Sequence, residues 1–382
     1  MSWFRGMGTP PGIDGGAPAG PWRVRPAGMA GRSRSATQAI IDHIKAGPGG
    51  WTILQVTWAD LQPTPGALDT AKADALAADF AWAASNGLPV GLRFLSGFWA
   101  PDHVKTAAGT MSTWYGLEGG DPAYPAPSNS KWLKFPGPMP KWWTNPYALA
   151  YRDVMERLAA YPGIGDAPNL SFVTDTLGCT YYGEINHQFF LQENRIAAKA
   201  AGFTTAKDLA AMTAGIQIHK AVWSPLGVGT SLALLPHQSI TTATPPAIDV
   251  SEARAIAIGQ ELIDTLGPLA LLAQNSVMYG DGQYPEIMAW IDAKAHGGQP
   301  ANGQTQTTAK HLDAWTAADK VTPLRSFQRC VDMGMASVEV PAGGLSRQVK
   351  GGVEAWPAQT LEQSADVNAR LRANLALYTA GG

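Results

Sequence analysis

Short β-type apolar runs alternate with amphipathic helical stretches from about residue 21 to the end of the 382-residue chain. That alternation narrows the fold more than any other feature, because it is the signature of βα units and a parallel sheet. The runs fall at 21–28, 51–58, 88–97, 169–178, 230–236, 269–277, 298–306 and 336–341. Helical periodicity follows each of them, at 35–46, 68–87, 145–161, 205–222, 251–267, 285–297, near 322–334 and 360–380. Start and stop signals support several of these helices: Ser35 is a candidate N-cap with Ile40, Ile41 and Ile44 on one face, Asn86-Gly87 is a stop, and Ser251 with Glu252 is a start.

Eight strands and eight helices predict an α/β protein, a (β/α)8 TIM barrel formed as a single domain by residues 21–382. Long loops are expected after strands three and four, the first of them an aromatic-rich insertion at 97–144, and residues 1–20 read as an extended Gly/Pro-rich arm. A doubly wound open sheet is the competing topology. It has little in its favour, since no GxGxxG follows the first strand and no Walker A pattern occurs.

Composition then removes whole classes of function. With Gly 42 and Pro 29 the chain is rich in loops, yet 45% hydrophobic residues supply a full core. A net charge of −2 leaves no basic excess for phosphates or an anionic bilayer, so neither nucleic acid nor membrane is an expected partner. Cys179 and Cys330 match no metal or CxxC spacing, and no disulfide framework is expected. The N-terminal stretch MSWFRGMGTPPGIDGG has no apolar h-region and nowhere do 18 apolar residues run together, so neither a secretory signal nor a membrane span is expected.

In a barrel of this kind the chemistry sits in the loops that follow the strands. Few ionisable groups survive that restriction. Strand two is followed by Trp58, Asp60 and Gln62; strand three carries Arg93 and is followed by Trp99, Asp102 and His103. Strand four offers Asp175 and then CTYYGEINH with Tyr182 and Glu184; strand six offers Asn275, Tyr279 and Asp281; strand seven offers Gln304 and Gln306; strand eight offers Glu339. Two readings of Glu339 stay open: a catalytic carboxylate, or a buried structural one paired to Arg93 across the barrel mouth. Glu184 and His187 have Glu-x-x-His spacing, but no second pair completes a ligand set, so no metal and no other cofactor is expected. Cys179 reads as a small buried hydrophobe.

The stretch WADLQPTPGALDT, its helix, and LPVGLRFLSGFWAPD resemble the second and third βα units of β-galactosidase-like retaining glycoside hydrolases. In that clan the acid/base is a Glu after strand four, usually preceded by Asn, and the nucleophile is a Glu after strand seven. The resemblance implies Glu184 for the first role, with Gly183 where the Asn is usual; Gln62 likewise stands where a Glu is usual. For the second role strand seven supplies only Gln304 or Gln306, and an amide can neither form a glycosyl ester nor offset oxocarbenium charge. A second carboxylate would have to be Glu339 or Asp281.

Trp is over-represented, at 14 residues, and aromatics crowd the 97–144 segment: Phe98, Trp99, Trp114, Tyr115, Tyr124, Trp132, Phe135, Trp142 and Trp143. Indole faces pack against the C–H faces of sugars, while the alternative is a mini-core packed under a long loop. Trp82 and Trp290, on helices, read as core. The chain also resembles glycoside-hydrolase-like minor tail proteins of phages that infect actinobacteria. That resemblance implies a virion location (the cytoplasm otherwise), host cell-wall glycan as ligand, other tail proteins held through residues 1–20, and a homo-oligomer on the tail. Trp58, Trp99, Trp142 and Trp143 are then expected against sugar, with Arg93, Asp102, Tyr182, Glu184, Asn275, Tyr279 and Gln304 reaching hydroxyls.

Overall fold

The computed structural model describes residues 22–32, 50–117, 133–180, 183–277, 284–305, 329–339 and 369–378. Eight parallel strands close into a barrel: β1 (Gly28–Arg32), β2 (Gly50–Thr57), β3 (Val90–Leu95), β6 (Leu170–Thr174), β7 (Gly229–Ala233), β10 (Ala270–Val277), β11 (Ala301–Thr305) and β12 (Ser337–Glu339). Closure comes from β1, which pairs with β2 on one side and with β12 on the other, Ala30 facing both Trp51 and Glu339. A closed barrel has no free strand edge, and this settles the topology against the open sheet.

Helices cover the wall: α1 (Trp58–Leu61), α2 (Thr70–Ser85), α3 (Asp102–Ala108), α4 (Asn145–Ala160), α5 (Gln192–Ala200), α6 (Thr205–Val222), α7 (Glu252–Leu266) and α8 (Pro285–His296). Their ends are set locally. Asp69 caps α2 by accepting from the Lys72 N–H at 3.0 Å, Ser251 caps α7 by accepting from the Arg254 N–H at 3.2 Å, and Gly87 (φ +68°) follows α2 in the left-handed region. Residues 329–332 and 369–378 are also helical. The expected helix at 35–46 and the arm at 1–20 lie outside the described residues.

Three segments differ from the expectation. Residues 97–144 are not a plain loop: they hold α3 and an antiparallel hairpin of β4 (Thr110–Leu117) and β5 (Leu133–Pro140). The three prolines of β5 cannot donate to a ladder, which fits a two-stranded hairpin better than a sheet interior and hides the strand from periodicity. A second hairpin, β8 (His237–Ile240) with β9 (Ile248–Ser251), stands after β7. The first strand is Gly28–Arg32 rather than 21–28. Residues 22–27 instead brace the floor of the barrel: Arg23 donates to the carbonyls of Gly165, Ala167 and Leu226, and the Trp22 indole donates to Pro268.

The main core lies between the barrel wall and the helices, and a smaller cluster of Trp51, Ile53, Phe172 and Leu271 fills the lower lumen with Trp22 packed against it. Glycine makes this plug possible. A Cβ on Gly91 would lie 2.3 Å from the Phe172 ring, and one on Gly229 would lie 2.3 Å from Trp22. The lumen is thus a packed interior, and any ligand must enter from the opposite, C-terminal mouth.

Candidate functional site at the barrel mouth

Strand alternation carries the inward series upward from the plug. Trp51 and Ile53 on β2 lead to Gln55, Gly91 on β3 leads to Arg93, Leu271 on β10 leads to Asn275, and Ser337 on β12 leads to Glu339. Register places Gln55 beside Arg93 and Gln304 beside Glu339. The lumen therefore changes from apolar below to amide, guanidinium and carboxylate above. Gln55, which the reading of the sequence did not single out, is exposed and continues the inward series of β2 beside Arg93.

Arg93 and Glu339 meet across the lumen in a two-pronged pair, with Nη2–Oε2 2.6 Å and Nη1–Oε1 3.3 Å. Both are buried, Arg93 at 7% exposure and Glu339 at 0%. Burial alone would lower the Arg93 pKa; Glu339, by charge and by hydrogen bond, and Glu184, by charge, outweigh it and raise the value. Of the two readings of Glu339, the buried pair is the one the geometry contains. A carboxylate clamped by a guanidinium and closed to solvent is poorly placed to attack an anomeric carbon.

Glu184 is held differently. Its backbone bridges Ala233, extending the barrel edge beyond β6, and Asn275 Nδ2 donates to its Oε1 at 3.1 Å. It is half-buried, more open than Arg93, Asn275, Gln304 or Glu339. Gly183 before it has a steric reason: a Cβ there would lie 3.2 Å from Thr174 Cγ2 and 3.5 Å from the Arg93 stem.

Most of the expected sugar-stacking rings are core. Trp58 is fully buried among Phe94, Tyr147 and Tyr151 and donates to Gln62 Oε1 at 3.0 Å. Trp142 is fully buried, edge-on to Trp114 and Trp143, and Trp143 packs on Phe203. The long segment buries its own aromatic surface against the helices, which leaves those rings no open face. Trp99 is half-buried on the turn after β3, edge-on to Phe98, and that turn donates through the Phe98 N–H to Thr180 O, four residues before Glu184. Asp102 is exposed at the start of α3, and no contact joins it to Glu184 or Arg93. Tyr182, Tyr279, Asp281 and Gln306 lie outside the described residues. Trp82 and Trp290 pack against the core, and Cys179 is buried.

Outside the wall, His187, Asp208 and His237 gather with ligand-capable atoms within 4.8 Å of one another, all buried. Asp208 Oδ2 lies 2.7 Å from His187 Nε2 and 2.8 Å from His237 Nε2, and its Oδ1 accepts from Trp142 Nε1 at 2.7 Å. A divalent metal would need the lone pairs of both imidazole Nε2 atoms. Arg254 removes one of them: its Nε–H donates to His237 Nδ1 at 3.0 Å, so the lone pair of that ring faces Arg254 and its proton sits on Nε2, facing Asp208. The donor set fits a hydrogen-bonded carboxylate and not a metal centre. Burial would raise the Asp208 pKa, but His187 and the two imidazole hydrogen bonds together hold it well below the usual carboxylate range.

A second outer pair contrasts with it. Burial pushes Asp175 up to about 7 against the pull of the Leu177 N–H and the Tyr151 hydroxyl, and burial pushes His219 down to about 3. The carboxyl of Asp175 presses on Gly215 of α6, where a Cβ would come within 2.6 Å. Both groups favour their neutral forms in the fold.

The topology and the position of this polar group define an eight-stranded parallel α/β barrel protein with its candidate site at the C-terminal mouth. No protein-family model matches the sequence, and no curated protein matches it. Among solved structures, endo-glycoceramidase II from Rhodococcus sp., as its lactosyl-enzyme intermediate, is similar at 15% identity and a TM-score of 0.46, over 91% of this chain and 80% of that one. A β-glycosidase, BGL167, is similar at 14% identity and a TM-score of 0.40 (80% of this chain, 74% of that one). Morphinone reductase in complex with tetrahydroNAD is similar at 14% and 0.43 (85% and 81%). A reductase beside two glycosidases shows that likeness at this level decides nothing about chemistry.

Proposed function

We propose that the chain is a carbohydrate-binding barrel that engages a host cell-envelope glycan at its mouth, carried on a phage tail through the residues that precede Trp22. The observation that carries the binding reading is the unequal treatment of the two mouth carboxylates. Glu339 is buried and clamped by Arg93, whereas Glu184 is half-open and supported by Asn275. Glycoside hydrolysis needs two working carboxyl groups, while recognition of a polyol needs only convergent donors and acceptors. Glu184, Asn275, Gln304 and Gln55 offer those, and among the described residues Trp99, half-buried on the turn after β3, is a ring available to a sugar face.

The floor favours a tether at the opposite pole. Arg23 ties the chain entering the barrel to three carbonyls beneath the wall, so a partner holding the preceding residues leaves the mouth free. The test is co-sedimentation with insoluble mycolic-type cell-wall arabinogalactan, competed by soluble galactosides. The wild type should pellet with the glycan, and Glu184→Gln should lose at least tenfold in affinity. Equal binding by Glu184→Gln would remove the mouth from the account.

A further inference from the structure

The His187–Asp208–His237 cluster lies outside the barrel wall and touches none of the mouth side chains, yet it is wired to the segment that carries Glu184. We infer that Asp208 and His237 are positioning residues for Glu184, acting through residues 183–189, and that Arg254 sets the proton arrangement on which the clamp depends. The inference rests on the mouth being the binding site proposed above.

The path is short and continuous. Glu184 bridges Ala233 at the end of β7; four residues on, His237 opens β8, and its neighbour Gln238 takes hold of the Glu184 segment twice. Gln238 donates to Asn186 Oδ1 at 2.9 Å and accepts from the Phe189 N–H at 2.9 Å. Between those two anchor points lies His187, joined to His237 through the shared Asp208 oxygen. His187 Nδ1 is buried with no hydrogen-bond partner, so Asp208 is the polar tether of that ring, with Trp142 stacked on it at 4.9 Å. Gln188, next in sequence, sits at φ +58°, a left-handed conformation that a non-glycine residue keeps only where its surroundings impose it. A segment held in that conformation will move when its tether is cut, and Glu184 lies on it.

Proton placement makes the clamp directional. Arg254 is itself held, by Asp249 Oδ2 at 2.9 Å and the Asp249 carbonyl, and its Nε–H obliges His237 to present Nε2–H to Asp208. Asp208 then receives N–H groups from His187, His237 and Trp142. An amide in its place turns a donor toward a donor.

Hydrogen–deuterium exchange of the full chain reads this without any ligand. In Asp208→Asn, amides of residues 183–191 should exchange at least tenfold faster, with the barrel strands unchanged. Should that variant fail to fold, His237→Phe, which keeps a ring in place but gives Asp208 no N–H, is expected to give the same local rise. Nitrogen-15 NMR of the wild type should show His237 as the Nε2–H tautomer, the form that both the Asp208 carboxylate and the Arg254 Nε–H select. Unchanged exchange at 183–191 in both variants would overturn the inference. So would a zinc-induced rise in wild-type melting temperature that Asp208→Asn abolishes, since the cluster would then be a metal site. Glycan affinity should fall about tenfold in Asp208→Asn and recover with Asp208→Glu. A wild type that binds no glycan would refute the proposed function while the exchange result still decided the positioning role.

Discussion

Glu339 in the lumen and Asp208 outside its wall are both carboxylates with no exposed surface, and the fold satisfies them by opposite means. Glu339 in the lumen receives a full positive charge from Arg93. Asp208 outside the wall receives three N–H groups from two imidazoles and an indole. A charge pair of this kind ties together two barrel strands and takes both groups out of solvent. A network of N–H donors spreads over α6, β8 and two loops, and it orders those loops relative to one another. The first arrangement closes off Glu339, and the second is joined to the segment that carries the half-open Glu184.

Removing one member of the lumen pair should be the most damaging change. Arg93→Met deprives a fully buried carboxylate of its paired charge and should cost about 3–5 kcal/mol in denaturant unfolding, with Arg93→Met/Glu339→Leu recovering most of that. A double mutant no better than the single would mean that the two residues are not coupled.

Asp175 and His219 sharpen the contrast, because neither is given a charged partner strong enough to keep it ionised. Asp175 is raised in the fold from 3.8 to about 7, so its contribution is complete below pH about 4 and is lost as pH rises to about 7. His219 is lowered from 6.5 to about 3, so its contribution is complete above pH about 6.5 and is lost as pH falls toward 3. Between pH 4 and 6.5 the two slopes oppose each other, and wild-type stability should be nearly flat. Asp175→Asn should expose the His219 slope, a rise with pH, and should exceed the wild type at pH 8 by on the order of 4 kcal/mol at most. A flat profile in that variant would contradict the assignment.

Smaller effects separate the aromatic rings. Trp142→Phe keeps a ring but takes one donor from Asp208, and should cost about 1–3 kcal/mol. Trp99→Ala should cost about 1 kcal/mol or less, since the ring is half-buried, yet lower glycan affinity tenfold. The reverse ranking would restore Trp142 as the sugar platform.

These rings also show where sequence reasoning stops. The barrel was legible because its apolar runs and helical periods repeat through the chain, whereas the Arg93–Glu339 pair was only one of two open readings, since an inward functional charge and a structural pair look the same in a sequence. Trp142 and Trp143 were not. An indole on a long loop serves a sugar or a core equally well, and only the packing of β4, β5 and α6 decides. The cluster around Asp208 was hidden for a related reason: His187, Asp208, His237 and Arg254 have no diagnostic spacing, and the fold alone brings them together. The β5 hairpin escaped because prolines erase the alternation that marks a strand.

The most direct test of the account is reducing-end release from cell-wall arabinogalactan and simple galactosides by the purified protein, run beside Glu184→Gln. A mouth whose second carboxylate is clamped by Arg93 predicts release by the wild type no greater than by the variant, alongside measurable binding. Release by the wild type that Glu184→Gln abolishes would contradict it, and would make Glu339 a working partner of Glu184 in hydrolysis.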